Sequence, residues 1–379
     1  MSATWGKNIR LTIFGESHGD CVGIVIDGIK PGVEIDYDYI YSEMKRRRPG
    51  NKMSTARSEE DLPRIISGVF NGYTTGAPIT IVIENEDKKS RDYSLTKDMA
   101  RPGHADFTAR NKYKGYNDYR GGGHFSGRLT APLVFAGSLA KIVLKNIGIE
   151  VQSHIKSICD ISDKSFFEYL QYKLKEMGKS THDISKKELN SMYREVFEKL
   201  RTRELPVLNE DRVDEIKNKI LDAKKRGDSI GGRIECSIIG IGVGIGEPFF
   251  ESVESVISSL AFSVPGVKGI EFGSGFSMTE MYGSEANDEF RIDENGEILT
   301  DTNNNGGLNG GITNSMPIEF TVAIKPTPSI FKSQNTINME FMENTKLDLK
   351  GRHDPTIIIR ALPVIESIAA LSILSLLNE

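Results

Sequence analysis

The stretch TTGAPITIVIEN at residues 74–85 has a counterpart, TNSMPIEFTVAIKP, at residues 313–326. In both, a segment that begins with threonine reaches a proline and then an apolar run of the length of a β-strand. Each run is followed by a loop that carries a histidine beside charged residues, and then by a long apolar helix pattern, at 129–146 and at 356–377. Two related halves with pseudo-twofold symmetry would give such a layout. A chance likeness is the alternative.

Hydrophobic periodicity extends this layout along the chain. Further strand patterns occur at 10–14, 22–27, 64–70, 232–241 and 269–272. Helix patterns also occur at 36–48 and 252–263, and in the former Asp36 can cap the N-terminus while Arg46, Arg47 and Arg48 occupy the last turn,. Strands in two sets, joined by long helices and long glycine-rich loops, predict an α+β chain.

Residues 162–226 differ in character from the rest. Lys and Glu dominate segments such as KKELNSMYREVFEKLRTREL (186–205), and no glycine occurs from 179 through 226. This composition is typical of solvated amphipathic helices. We expect residues 162–226 to be a helical insertion, and a length of 379 residues permits one large domain or two ordinary ones,.

The charge balance and the cysteines exclude several classes of protein. The chain has 48 Lys and Arg against 53 Asp and Glu, a net charge of -5, which argues against a nucleic-acid binder,. Cys21, Cys159 and Cys236 are widely spaced and form no CxxC motif, so neither a disulfide scaffold nor a metal site is expected,. A reducing compartment fits, and with no secretory signal visible we expect a cytoplasmic protein.

The most apolar segment, 361–377, contains Pro363 and, in its middle, Glu366. A membrane-spanning helix needs about 20 apolar residues, so this segment is too short and too interrupted. It predicts a buried core helix, and no membrane is expected as a partner.

Histidines on glycine-flanked loops are the first candidates for chemistry. GESHG (15–19) presents Ser17 and His18 between two strands, and RPGHAD (101–106) holds His104 beside a carboxylate. A histidine in such a loop can act as an acid or base near neutral pH. A structural turn or a buried structural histidine is the competing interpretation for each.

Arginines beside glycine or proline are the second candidates. They occur in RRRPG (46–50), RPGH (101–104), YRGGGH (119–124) and SGR (126–128). Arginine binds phosphate and carboxylate with two parallel hydrogen bonds, and glycine-rich backbone before a helix is an anion site. A small ligand with several negative charges is therefore indicated, with ordinary surface charge as the alternative.

Two further segments leave their interpretation open. In GRHDP (351–355), Asp354 and Pro355 suit the start of a helix, which leaves Arg352 and His353 unexplained,. KPTPS (325–329) is a rigid loop with hydroxyls and a cation, suited to a flat polar ring or a phosphate, or to a plain exposed loop.

Taken in order, these motifs resemble the chorismate synthase family. The resemblance rests on GESHG, RRRPG, SGVFNGYTTGAPITIVIEN, RPGHADFT, YRGGGHFSGRLTA, GVKGIEFGSGF, NGGLNGGIT, KPTPS, GRHDP and IIIRALPVIE. They cover essentially the whole chain. The resemblance implies a single domain over residues 1–379, with 162–226 as an insertion within it: a large β-α-β sandwich with long active-site loops, assembled as a homotetramer.

The resemblance also implies a reaction. The substrate would be 5-enolpyruvylshikimate-3-phosphate, which loses phosphate and its C6 proton by anti-1,4 elimination to give chorismate. Reduced FMN would be required although there is no net redox change. The resemblance leaves open whether the protein reduces its own flavin with NADPH or depends on an external flavin reductase.

Roles follow from the resemblance position by position. His18 would protonate the departing phosphate with Ser17 beside it, His104 would manage the protonation of the flavin, and Asp354 would help to remove the C6 proton through the flavin N5. The implied substrate ligands are Arg47, Lys52, Arg101, Arg128 and Arg352. The implied flavin contacts are His124, Phe125, Ser126, Pro265, Gly266, Gly310, Lys325, Pro326, Thr327, Pro328, Ser329 and Arg352.

The chain departs from the family pattern at two places. Many members have Arg-Ser-Ser where this chain has His124, Phe125 and Ser126, so one flavin or phosphate contact is in doubt. Lys52 stands where Arg or Lys is common, and lysine offers a point charge instead of a fork.

Two other classes of function compete with this one. An anion-binding protein without turnover would predict the loss of His18, His104 or Asp354, and all three are present. An NAD(P) oxidoreductase could use GIGVGIG at 240–246, but the acidic residue that would bind the ribose about 20 residues further on is not found,.

Overall fold

The structure is a computed structural model that describes residues 3–48, 53, 60–85, 97–349 and 353–377. The strands are β1 (Thr4–Trp5), β2 (Arg10–Gly15), β3 (Cys21–Asp27), β4 (Arg64–Ser67), β5 (Val69–Phe70), β6 (Tyr73–Thr74), β7 (Ile79–Glu84), β8 (Glu150–Ile158), β9 (Ile161–Ser162), β10 (Gly232–Ile239), β11 (Val267–Phe272), β12 (Phe290–Ile292), β13 (Ile298–Thr300), β14 (Leu308–Asn309), β15 (Ile312–Thr313), β16 (Ile318–Ile324), β17 (Gln334–Asn338) and β18 (Glu343–Leu347). The α-helices are α1 (Tyr37–Arg47), α2 (Asp106–Lys112), α3 (Thr130–Lys145), α4 (Phe166–Glu176), α5 (Lys186–Thr202), α6 (Val213–Lys225), α7 (Val253–Ser263), α8 (Gly283–Ala286) and α9 (Ile358–Leu377).

Two antiparallel five-stranded sheets frame the molecule. Their strand orders are β1-β2-β3-β7-β4 and β11-β16-β10-β8-β9. Helix α3 contacts β3 and β7 of the first sheet and β8 of the second, while α9 packs on α3, β8 and β10. Because α1 and α7 also pack against α9, these four helices form a layer between the sheets. The chain is thus an α+β sandwich of sheet, helices and sheet.

The two halves share one topology. The series β2, β3, α1, β4, β7 and α3 gives the strand order first-second-fourth-third, and the series β8, β10, α7, β11, β16 and α9 gives the same order. The likeness between 74–85 and 313–326 is therefore structural, since these segments carry the corresponding strands β7 and β16. The pseudo-twofold echo predicted from the sequence is confirmed at the level of topology.

The buried helices explain the apolar segments. Helix α9 and the segment Gly127–Lys145, which includes α3, are long and apolar enough to cross a membrane. Both are largely buried inside the fold, however: 89% of the apolar stretch in α9 and 78% of that in Gly127–Lys145. The prediction of a buried core helix at the C-terminus is therefore correct. Pro363 lies in the second turn of α9, where the helix accommodates it.

Strand β8 was not predicted from the sequence, although it lies inside the second sheet. Its polar residues interrupt the apolar pattern by which strands are recognised, yet Gln152, Ser153 and His154 are almost completely buried. The Glu366 carboxylate of α9 accepts hydrogen bonds from Ser153 and Gln152, and Glu235 of β10 pairs with His154. These hydrogen bonds to distant carboxylates offset the free-energy cost of burying polar side chains in the sheet.

The strand predicted at 64–70 is in fact two short strands. Gly68, with a φ of +82°, separates β4 from β5, and a Cβ there would lie 2.6 Å from the Ile79 backbone. Strand β4 therefore pairs with β7, whereas β5 pairs with β6.

Residues 162–226 form three helices, α4 to α6, in the connection between β8 and β10. The capping boxes at Ser165–Glu168 and Ser185–Glu188 start α4 and α5,. The apolar faces of α4 and α5 build a second hydrophobic cluster that also includes Ile239 and Met316 beside the second sheet. In the first half the GESHG loop occupies this connection, and the description of 162–226 as an insertion stays a prediction.

Glu319 of β16 lies buried between the second sheet and α5. The Tyr193 hydroxyl donates to its Oε1 at 2.6 Å, and the Asn303 amide approaches its Oε2 at 3.4 Å. Burial raises the pKa of Glu319 to about 8. The folded protein therefore holds a proton on this group between about pH 4.5 and 8 that the unfolded chain releases.

We expect the stability of this region to fall as the pH rises through that range. One proton released on unfolding lowers the free energy of unfolding by about 1.4 kcal/mol per pH unit. Glu319→Gln removes that proton, so denaturant unfolding at pH 6, 7 and 8 should give a smaller pH slope than the wild type. Glu195→Gln, on the exposed face of α5, is the control and should keep the wild-type slope. Parallel curves for Glu319→Gln and wild type would contradict the raised pKa.

Candidate functional site

The glycine-rich and proline-rich loops converge on one cavity of about 550 Å³. Its walls come from segments 101–105, 121–127, 262–268, 325–329 and 353–360. The residues predicted from the sequence that line it are Arg101, His104, His124, Phe125, Ser126, Pro265, Gly266, Lys325, Pro326, Thr327, Pro328, Ser329 and Asp354. We call it the main cavity.

A smaller pocket of about 220 Å³ adjoins the main cavity. The two share Ser126, Pro265 and Asp354, and the smaller one is also lined by Arg47 and Arg128. We call it the inner pocket. Two of the arginines predicted to bind an anion therefore lie next to the cavity, as neighbours of Asp354.

The three consecutive glycines 121–123 lie between the two candidate histidines. Their φ angles are +61°, +90° and +53°, which only glycine adopts without strain,. A Cβ on Gly121 would lie 2.2 Å from His18 Nδ1, and one on Gly122 would lie 3.0 Å from His104 Nε2. The Ser17 N–H donates to the Gly123 carbonyl at 3.1 Å. Because these glycines carry no side chains, both His18 and His104 can approach the backbone of the loop closely.

His104 is oriented by a carboxylate and an arginine. Its Nδ1 lies 2.6 Å from Asp106 Oδ1, and Arg101 donates to both Asp106 oxygens at 2.8 Å. Burial alone would raise the pKa of Asp106, but the hydrogen bonds from Arg101 and His104 outweigh it and hold the pKa well below its ordinary value. Because the ionised carboxylate can only accept, Nδ1 carries the proton and Nε2 is turned toward Gly122.

Arg47 and Arg128 are held by a shared buried carboxylate. Arg47 Nη1 donates to Asp61 Oδ2 at 2.9 Å, and Arg128 Nη1 donates to Asp61 Oδ1. The remaining guanidinium nitrogens of Arg47 donate to Thr130 Oγ1 and the Gly127 carbonyl, and those of Arg128 to Asn85 and the Glu84 carbonyl. Burial would raise the pKa of Asp61, but the two arginines outweigh it and lower it.

The segment that replaces Arg-Ser-Ser docks on the first sheet. His124 Nδ1 donates to the Gly15 carbonyl at 2.9 Å, which leaves Nε2 for a ligand. The ring of Phe125 packs near Tyr113, and Ser126 Oγ accepts from the Arg128 N–H at 3.3 Å. The imidazole therefore occupies a defined position at the edge of the main cavity.

The KPTPS loop joins the other walls together. Lys325 Nζ donates to the Gly103 carbonyl, and Arg101 Nη1 donates to Ser329 Oγ at 3.3 Å. Thr327 Oγ1 donates to the Asp354 carbonyl at 2.9 Å. The loop that carries His104 and the turn that carries Asp354 are thus fastened to one rigid segment.

The other predicted site residues lie elsewhere. Gly310 forms the turn between β14 and β15, where the adjacent Gly311 lies against Ser252, outside the lining of the main cavity. Lys52 and Arg352 lie outside the described residues. Another cavity, of about 420 Å³, lies beside α4 and contains none of the predicted residues.

Arg360 and Asp61 were missed by reasoning from the sequence. Arg360, in the first turn of α9, lines both the main cavity and the inner pocket. Its Nη1 donates to Asp354 Oδ2 at 2.6 Å and its Nε to the Arg47 carbonyl at 3.0 Å. A lone cation at the start of an otherwise apolar helix was the available signal for Arg360.

Comparisons with known proteins point to a single family. The family model described as chorismate synthase matches residues 9–377. A chorismate synthase from Pyrococcus abyssi is 44% identical over 365 residues, covering 96% of this chain and 94% of that protein. One from Methanococcus maripaludis is 43% identical over 376 residues, covering 99% and 96%.

Similarity extends to a solved structure. A crystal structure of chorismate synthase superposes with a TM-score of 0.73 at 26% identity, covering 98% of this chain and 92% of that one. Family model, relatives and fold all agree over almost the whole length. The chain belongs to the chorismate synthase family.

Proposed function

We propose that this protein converts 5-enolpyruvylshikimate-3-phosphate to chorismate and phosphate by anti-1,4 elimination, with reduced FMN as a cofactor that undergoes no net redox change. It would thus be a carbon–oxygen lyase acting on a phosphate. The observation that carries the proposal is the triple-glycine loop: Gly121 lines the cavity together with His104 and Asp354, and the same glycine lies directly against His18. An elimination needs a proton donor for the leaving group and an acceptor for the C–H proton.

The residues of the main cavity fit a flavin mononucleotide. Ligand pockets of roughly 300–1,000 Å³ are usual, and this one has about 550 Å³. Phe125, Pro265 and Ile357 offer apolar surface for a flat ring, and Lys268 and Lys325 offer positive charge for a phosphate. Reduced FMN, when bound, would lend electron density to the substrate as phosphate leaves. Gly310 and Arg352 are proposed as further flavin contacts.

The side chains divide the work of binding and proton transfer. We assign His18, with Ser17 beside it, the protonation of the departing phosphate. His104 keeps a proton at Nδ1 against Asp106 and presents Nε2 for proton exchange beside the flavin. Asp354 takes part in removing the C6 proton, and Arg47, Lys52, Arg101, Arg128 and Arg352 are the proposed ligands of the substrate anions.

The arginines support this assignment by their placement. The proposed substrate carries a phosphate and two carboxylates, and binding them requires several fixed cations. Arg47 and Arg128 line the inner pocket with their guanidinium groups held in position by Asp61. Held cations lose little freedom when a ligand binds, so affinity is gained.

An anaerobic assay tests the proposed function. Purified protein is mixed with 5-enolpyruvylshikimate-3-phosphate and chemically reduced FMN, and chorismate and phosphate are followed. Equal amounts of both products are expected, and no reaction with oxidised FMN. The absence of chorismate with reduced flavin would refute the proposal. Repeating the assay with NADPH and oxidised FMN shows whether the protein reduces its own flavin or needs an external reductase.

Asp106→Asn is expected to lower kcat by about tenfold to a hundredfold, because His104 loses the charge that fixes its tautomer. FMN affinity, measured by fluorescence quenching, should change little. Asp98→Asn is the control, since Asp98 pairs with Arg110 outside the main cavity. Because Arg101 also loses its partner, the melting temperature is measured alongside. A well-folded Asp106→Asn variant with wild-type kcat would contradict the assigned orientation of His104.

We also propose that the protein acts as a cytoplasmic homotetramer. Phe249, Phe250 and Phe276 are 84%, 90% and 78% exposed, and large exposed aromatic side chains favour association,. Analytical ultracentrifugation should give a mass near four times the 42.0 kDa of one chain. A monomer at micromolar concentration would refute this part of the proposal.

A further inference from the structure

Arg360 stands between two groups of the proposed active site. It is in the first turn of α9, and its guanidinium lies where the main cavity meets the inner pocket. One edge donates to the Asp354 carboxylate at 2.6 Å, and Nε donates to the main-chain carbonyl of Arg47 at 3.0 Å. The pair Arg360–Asp354 is largely shielded, with side-chain exposures of 21% and 11%.

We infer that Arg360 is a positioning residue that fixes the direction of the Asp354 carboxylate at the cavity wall and ties it to the C-terminal end of α1. The inference rests on the proposed function, in which Asp354 takes part in proton removal. It goes beyond the assigned roles, none of which falls on Arg360.

The contact geometry explains why arginine suits this position. Asp354 lies in a turn ahead of α9, so the helix does not itself fix the direction of its side chain. The guanidinium is planar and donates in several fixed directions. Its two donors therefore set the angle between the Asp354 carboxylate and the end of α1 that carries Arg47. Lysine, with one flexible ammonium, could supply the charge but not both directions.

The walls around this pair are rich in cationic and titratable groups. Those that line the main cavity besides Arg360 and Asp354 are Arg101, His104, His124, Lys268, Lys325 and His353. Arg47 and Arg128 line the inner pocket together with Asp354. Arg360 lines both cavities and donates directly to the Asp354 carboxylate.

An arginine that only anchors the start of α9 would show the same contacts. The experiment must therefore distinguish that anchoring role from the positioning of Asp354. We compare Arg360→Lys and Arg360→Gln with Arg194→Gln, which breaks the ion pair between Arg194 of α5 and Glu150 of β8. In Arg360→Gln, kcat should fall roughly tenfold to a hundredfold, with the KM for substrate changed less than about threefold. Arg360→Lys should recover part of the loss, and Arg194→Gln should equal the wild type.

A second measurement reads Asp354 directly and needs neither flavin nor turnover. Carbon-detected NMR of the apoprotein, with the Asp354 signal assigned through Asp354→Asn, should show the carboxyl signal of Asp354 at a different chemical shift in Arg360→Gln, because the carboxylate loses its guanidinium donor. Unchanged kcat in Arg360→Gln, or an Asp354 carboxyl signal at its wild-type position, would overturn the inference. A rise in KM with kcat unchanged would also overturn it, because Arg360 would then be a substrate ligand.

The two readouts keep this inference separate from the proposed function. If the wild type forms no chorismate, the proposed function fails, while the Asp354 carboxyl signal still shows whether Arg360 holds the carboxylate. If Arg360→Gln does not fold, Arg360→Lys carries the test, since it keeps the charge but not both donor directions. A wild-type Asp354 carboxyl signal and wild-type kcat in Arg360→Lys would then overturn the inference.

Discussion

The Gly121→Ala substitution is expected to lower kcat by roughly a thousandfold or more. The added Cβ would lie 2.2 Å from His18 Nδ1 and 2.9 Å from Ser17 Oγ, so both side chains must move. Loss of one positioned acid or base costs about 10²–10⁴-fold in rate. The backbone also resists the change, because φ is +61° and the left-handed conformation costs a non-glycine residue about 1–2 kcal/mol,.

The effect should be confined to the site. Gly283→Ala, at the start of α8, is the matched control, because a Cβ there meets no atom within 4 Å. It should keep wild-type activity and stability. Circular dichroism and the melting temperature of Gly121→Ala should stay close to those of the wild type. If Gly121→Ala were as active as Gly283→Ala, the close approach of His18 to this loop would not matter for turnover.

The Glu366→Gln substitution is expected to give the largest loss of stability, a fall of about 3–5 kcal/mol in the free energy of unfolding. The Glu366 side chain is fully buried in α9 and accepts hydrogen bonds from Arg46, Lys141 and β8. Burial would raise the pKa of Glu366, but Arg46 and Lys141 outweigh it and hold the pKa well below its ordinary value. Removing the charge leaves two buried cations with Glu43 as their remaining acid.

The pH dependence of this loss has a definite sign. A carboxylate with a depressed pKa stabilises the fold above the pKa of the unfolded chain and less as the pH falls. The deficit of Glu366→Gln, measured by denaturant unfolding, should therefore stay nearly constant above about pH 5 and shrink as the pH falls below 4.5, the ordinary pKa of glutamate. The double variant Glu366→Gln/Lys141→Met restores the charge balance and should be more stable than the single one. A double variant no better than Glu366→Gln would show that the charge imbalance is not the cause.

Most elements of the fold were predictable, because their apolar periodicity is local. Strands β2, β3, β7 and β16 and helices α1, α3, α7 and α9 all lie where the patterns placed them. Strand β8 was not, since its buried polar side chains are satisfied by Glu366 and Glu235, more than 80 residues away in sequence. A local pattern contains no information about such distant partners.

The same limit applies to the site. The glycine-rich and proline-rich loops are recognisable from their composition, and the structure brings most of their predicted residues together at one cavity. Arg360 and Asp61 are not recognisable from the local sequence. Arg360 is marked only by its contact with Asp354, and Asp61 only by its contacts with Arg47 and Arg128. The Arg360–Arg47 contact joins positions 313 residues apart, and nothing in either neighbourhood indicates it.

The two long central helices begin at the same place, one from each half of the molecule. Thr130 at the start of α3 and Ala361 in the first turn of α9 both line the inner pocket. Each helix directs the positive end of its dipole there. The inner pocket is therefore built from both halves of the molecule, and neither half alone contains it.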